Sequence, residues 1–192
     1  HAFGNAWFVS SCVPAATPDE EIALLASTDL SNAAVIGNDF AWARDAFAGA
    51  SADATSAEDE AVQSEITLTH YAPNELRYDF RTASARPAIF SEIYCPMGWK
   101  AWIEPAGAYG EVKNGHYQPT AEAVPVELFR ADWMLRGAVI PEGEGQLIMR
   151  FEPDSYRIGE NISRGSSITL IVLLLLSSAG LIVTSRSRKV VR

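Results

Sequence analysis

The chain has 192 residues, 48% of them hydrophobic, and its 24 acidic and 15 basic side chains give a formal net charge of −9. Residues 1–163 hold all the acids but only 10 of the bases, a net of −14, which argues against nucleic acid and against adhesion to anionic headgroups. Cys12 and Cys95 are too few for a disulfide framework, and His1, His70 and His116 lack metal-ligand spacing, so no metal or cofactor is expected.

Residues 4–9 read as a short strand. Thr17, Pro18 and Glu20 then open a helix, with Thr17 as cap, Pro18 at the first helical position and Glu20 completing a capping box. Ile22, Leu24 and Leu25 supply its apolar face. Residues 33–36 suit a strand. Residues 37–63, rich in Ala, Asp, Ser and Glu, read as a partly mobile surface excursion.

From Ser64 onward the pattern is that of repeated strands. Ile66, Leu68 and His70 alternate with Thr67, Thr69 and Tyr71, and a turn follows at 72–74. Leu76, Tyr78 and Phe80 alternate with Arg77, Asp79 and Arg81, the mark of a half-buried strand. Further strands are predicted at 88–94, 99–103, 126–129, 134–140 and 146–151, with a Pro-Met-Gly turn at 96–98 and a Pro-Glu-Gly-Glu-Gly turn at 141–145. Residues 105–125 read as a long loop. Short strands at regular spacing after one short N-terminal helix predict a mainly β protein, an antiparallel, jelly-roll-like β-sandwich.

A polar joint at 156–163 leads into residues 166–184, nineteen positions without an ionisable side chain. At about 1.5 Å per helical residue they span roughly 28 Å, close to the thickness of a bilayer's hydrocarbon core. Only a helix satisfies the backbone there. Arg186, Arg188, Lys189 and Arg192 follow, against Arg164 alone on the other flank, so the C-terminus is expected in the cytoplasm. The predicted organisation is an extracytoplasmic domain at 1–163, a transmembrane helix at 164–185 and a basic cytoplasmic tail at 186–192. Residues 1–30 lack a secretory signal pattern, so the chain reads as the C-terminal piece of a larger membrane protein. The expected partners are the bilayer, an upstream membrane core of the same polypeptide and a cell-envelope glycan.

No nucleophile–base motif, phosphate loop or metal motif occurs. Glu92, Glu104, Asp132 and Glu152 are candidates for paired carboxylates, with solvated strand faces the simpler reading. Trp99 and Trp102, three apart, should face opposite sides of one strand, one in the core and the other a platform for a sugar or partner. Trp102 is the candidate platform. No Leu-Pro-x-Thr-Gly precedes the apolar run, which counts against a cell-wall sorting signal.

Residues 90–104, Phe-Ser-Glu-Ile-Tyr-Cys-Pro-Met-Gly-Trp-Lys-Ala-Trp-Ile-Glu, resemble a strand–turn–strand segment near the C-terminus of the YfhO family of bacterial membrane proteins. Residues 4–9, 66–78 and 135–143, and Phe151-Glu-Pro-Asp with a last apolar helix, fit the same family in order. The family's Asp-Gly after the Trp strand is Glu104-Pro105 here, and 105–127 looks like an insertion. The resemblance implies a polytopic glycosyltransferase that uses lipid-linked sugars on envelope glycopolymers outside the membrane. It implies that the catalytic acid lies upstream, so no catalytic residue is assigned in this chain. It also implies an architectural role for Pro96 and Gly98, which set the turn, and for Tyr94 and Trp99, which fill the core beside it.

Overall fold

The computed structural model describes residues 3–52, 64–113 and 116–190, which divide into two compact units meeting between Glu152 and Pro153. The first unit is an antiparallel β-sandwich. Its elements in chain order are β1 (Ala6–Phe8), β2 (Ser11–Ala15), α1 (Pro18–Leu25), β3 (Ala33–Gly37), α2 (Ala41–Ala52), β4 (Glu65–Ala72), β5 (Glu75–Thr82), β6 (Arg86–Ile93), β7 (Trp99–Pro105), β8 (Glu111–Lys113), β9 (His116–Gln118), β10 (Val124–Val126), β11 (Leu128–Ala131), β12 (Leu135–Ile140) and β13 (Gly143–Phe151). One sheet has the order β1-β6-β12-β11 and the other β10-β7-β13-β5-β4.

Alternation along the strands builds the core between the sheets. Leu76, Tyr78 and Phe80 from β5, Ala101 and Ile103 from β7, and Leu147 and Met149 from β13 meet Ala88 and Phe90 from β6 and Ala138 and Ile140 from β12. Tyr78 and Phe90 touch edge to face, with ring centroids 4.8 Å apart. Arg136 is also buried there. Its guanidinium lies 4.0 Å from the centre of the Trp99 ring and donates to the Ile93 carbonyl at 3.1 Å.

The other face of the four-stranded sheet is covered by an N-terminal layer. Parallel strands β2 and β3 pair, joined by α1 as the crossover. Val9, Ala34, Ile36, Ala43 and Phe47 close over Ile89, Phe129 and Ala131. Gly137 is required here, because a Cβ would stand 2.2 Å from the Phe129 ring that lies across it.

Three local expectations are corrected. Residues 41–52 form α2 instead of a surface excursion, because Ala43 and Phe47, four apart, give it a stripe to bury; residues 53–63 lie outside the described residues. The loop at 105–125 contains the β8–β9 hairpin. In α1 the cap forms as expected, with Thr17 Oγ1 accepting from the Glu20 amide at 3.2 Å, but the buried residue is Glu21, while Ile22 is exposed. Glu21 takes that place because its carboxylate accepts from the Trp133 amide at 3.0 Å and from Arg130 at 3.1 Å.

The second unit is α3 (Asp154–Val190), one continuous helix. The expected polar joint at 156–163 is helical, with the Glu160–Arg164 pair four residues apart at 2.9 Å, and its residues from Ile158 onward belong to the span-length segment. Within α3, Ile158–Ser178 is long and apolar enough to cross a membrane, and its large apolar side chains are exposed.

Candidate functional site

The outer face of the five-stranded sheet carries a connected set of polar and aromatic groups. Strand register arranges its outward residues in rows: Glu75–Arg150–Lys100, Arg77–Ile148–Trp102 and Asp79–Gln146–Glu104. The segment that includes the β8–β9 hairpin folds over these rows and buries Ile148, Arg150 and Glu104.

Two tyrosines join hairpin to sheet. Tyr117 sits between Trp102, 5.2 Å away, and Tyr109, also 5.2 Å away. The Arg77 guanidinium stacks 3.7 Å from the centre of the Tyr109 ring. Below the rings lie three carboxylates, each accepting from at least two donors. Glu104 accepts from the Tyr117 hydroxyl at 2.6 Å, from the Thr120 amide at 3.0 Å and from the Thr120 hydroxyl. Glu75 accepts from Arg77 at 2.5 Å, from the Tyr109 hydroxyl at 2.9 Å and from Arg150. Glu152 accepts from the Tyr117 amide at 2.6 Å and from Arg150 at 3.1 Å, with His116 3.8 Å away.

Burial would push the Glu104 carboxyl up, but the donors from Thr120 and Tyr117 outweigh it and hold the group below its ordinary value. Glu75 behaves alike: burial raises it, and Arg77, Tyr109 and Arg150 together bring it below the usual range. Burial and the neighbouring carboxylates push both tyrosines up. Both acids are thus held ionised and hydrogen-bonded, which makes this part of the surface rigid.

Trp102 is half-buried at the edge of this aromatic row, beside Pro125 on the neighbouring strand β10. Tyr94, Pro96, Gly98 and Trp99 lie elsewhere, at the end of the sandwich where β13 finishes. Gly98 adopts a positive φ of 88° in the turn, and its carbonyl accepts from the Glu152 amide at 2.6 Å. Pro96 is exposed. Trp99 packs against the core with Phe151, centroids 5.7 Å apart, beneath Arg136. Tyr94 is half-buried edge-on against Phe40 at 5.3 Å and stands outside the inter-sheet core.

Of the acids considered for pairing, Glu104 and Glu152 both bind Tyr117, one through its hydroxyl and one through its amide. Asp132 is separate. It and Trp133 form the β11–β12 turn with positive φ values of 50° and 71°. Asp132 Oδ1 accepts from the Val35 amide at 2.7 Å, while Oδ2 is buried without a partner. Burial, with Glu21 nearby, pushes its carboxyl up to about 6. Both cysteines are free and half-buried. Among the described residues, no group of three or more His, Cys, Asp or Glu is placed to hold a metal ion.

Sequence reasoning missed Glu75, Arg77, Tyr109, Tyr117, Thr120 and Arg150. The available signal was two tyrosines inside a Gly- and Pro-rich segment, together with opposite charges two apart at 75/77 and 150/152. In comparison with known proteins, the chain matches no family model, no curated protein and no solved structure.

Proposed function

We propose that this chain is the extracytoplasmic C-terminal module and last membrane helix of a YfhO-like glycosyltransferase, and that its sandwich orients an acceptor glycan of the cell envelope. The chain segment 1–152 lies outside the cytoplasmic membrane in this reading, and the basic residues after the span hold the C-terminus inside. The observation that carries the reading is the ordered set of motifs ending in a strand that runs, after two residues, into a helix containing a span-length apolar segment. The hydrogen-bonded carboxylates beneath Tyr109 and Tyr117 fit a role in shaping a surface for a ligand, with the chemistry supplied by an upstream membrane core.

Trp102 is assigned to stack on a sugar ring, supported by its half-buried position against Tyr117. The test is sugar transfer from a lipid-linked donor by the protein that includes the upstream core. Trp102→Ala should raise KM for the acceptor roughly tenfold, about 1.4 kcal/mol, and leave kcat unchanged. An unaltered KM removes Trp102 from acceptor binding. Transfer by residues 1–192 alone refutes the accessory role.

The engaged state of every carboxylate on this face also favours a second reading, a membrane-anchored module that binds a glycan or protein without enzymatic activity. Absence of transfer by the longer protein, with retained glycan binding that Trp102→Ala weakens, would select it.

A further inference from the structure

One end of the sandwich differs from the rest of its surface. The loops at 72–74, 94–98 and 132–134 meet there with the last residue of β13. The Phe151 amide donates to the Asn74 carbonyl at 3.0 Å, the Glu152 amide to the Gly98 carbonyl at 2.6 Å, and the Tyr94 amide to the Met134 carbonyl at 2.7 Å. The start of the sandwich lies at the same end, since the Ser91 amide donates to the Asn5 carbonyl at 3.0 Å and the Ser91 hydroxyl to the Gly4 carbonyl at 2.6 Å.

Tyr71, Ile93, Met97, Met134 and Phe151 project from this end with 41% to 73% of their surface exposed. The three loops carry one charged residue, Asp132, and it is buried. The opposite end bears exposed Glu142, Glu144 and Arg81. Exposed apolar side chains scattered singly need no account, but five gathered at one end of a domain with a net charge of −14 do.

The candidate cover is the bilayer that the following helix is long and apolar enough to cross. Phe151 is the last residue of β13, and Ile158, seven residues on, is the first of the span-length segment. An acidic domain is repelled by anionic headgroups over most of its surface, whereas the three loops at this end expose no charged side chain. Aromatic, Met and Ile side chains without charge are suited to the headgroup–acyl boundary.

We propose that this end of the sandwich is a lipid-docking surface, with Ile93, Met97, Met134 and Phe151 seated in the boundary region of the bilayer. The proposal rests on the reading of Ile158–Ser178 as a membrane span and does not depend on the glycan role of Trp102.

The test uses the full chain in phosphatidylcholine nanodiscs, with Cys12 and Cys95 replaced by serine. A nitroxide is placed by Met97→Cys, by Glu142→Cys at the opposite end or by Leu174→Cys in the span. Accessibility to oxygen, enriched in lipid, is compared with accessibility to a water-soluble nickel chelate. The Met97 label should show an oxygen-to-nickel ratio at least about threefold above that of the Glu142 label, approaching the Leu174 value. A Met97 label as water-accessible as Glu142, with Leu174 still in lipid, overturns the docking surface and leaves the span standing. Shielding of the Met97 label from both reagents overturns it in favour of a protein partner. An aqueous Leu174 label overturns the span and the docking together. Met134→Cys, on another loop, repeats the measurement should Met97→Cys fail to melt cooperatively.

Discussion

Asp132 shows how a single residue carries a cost that the surrounding fold maintains. Its backbone is left-handed, and one carboxylate oxygen is buried without a donor, facing the charge of Glu21. Because its carboxyl rises from 3.8 to about 6 on folding, the native state holds the proton more tightly than the unfolded chain does. Its contribution is therefore complete at low pH, falls as the pH rises through this window, and stays low above it. Asn keeps the acceptor for Val35, tolerates positive φ and cannot ionise. Asp132→Asn should stabilise the protein at pH 7 by up to about 3 kcal/mol and remove the loss between pH 4 and 6. Urea denaturation across that range, compared with the parent, checks it; equal slopes in both proteins would show that Asp132 does not titrate there.

Among the elements, the β8–β9 hairpin depends most on a few polar contacts. Its strands are three residues long and pair only with each other, so its attachment to the sheet runs through Tyr117, Tyr109 and the carboxylates below. Tyr117→Phe keeps the ring against Trp102 but removes the hydroxyl that donates to Glu104 and accepts from the Gly110 amide. The expected cost is about 1–3 kcal/mol in chemical denaturation at pH 7. Glu104 has a lowered carboxyl, so its contribution is present above 4.5 and is lost as the pH falls through the folded value. The variant should show a smaller acid-side loss than the parent; an unchanged acid limb would mean that Thr120 alone holds Glu104 ionised.

The elements also mark where sequence reading succeeds. In β5, Leu76, Tyr78 and Phe80 alternate with charged neighbours, and the period of two passes directly into an inward and an outward face. The three-residue spacing of Trp99 and Trp102 likewise separates them across β7. The helix α2 was not legible because Ala43 and Phe47 give it a narrow apolar stripe within an Ala-rich run. The network on the outer sheet face was not legible because it joins positions far apart in the chain. Glu75 and Arg150 meet only through strand register, and Tyr117 reaches Glu104 only after the hairpin folds back.

At the scale of the molecule, the sandwich and the apolar helix are separate compact units. Both hydrophobic clusters are built from residues before Glu152, so the first unit contains what its stability requires. A chain ended after Glu152 should unfold cooperatively and remain in the supernatant on ultracentrifugation without detergent, whereas the full chain should need detergent. A truncated chain that fails to melt cooperatively would show that α3 contributes to the core of the sandwich.

The pairing of β1 with β6 places Gly4 and Asn5 beside the end from which β13 departs. A domain with its two ends on one side can stand in place of a single connection in a longer polypeptide. It can lengthen the link between two neighbouring segments without pushing them apart, because the path through it returns close to where it began. The topology thus gives the sandwich the form of an insertable unit, one whose outer surface can change without altering the distance between its two ends.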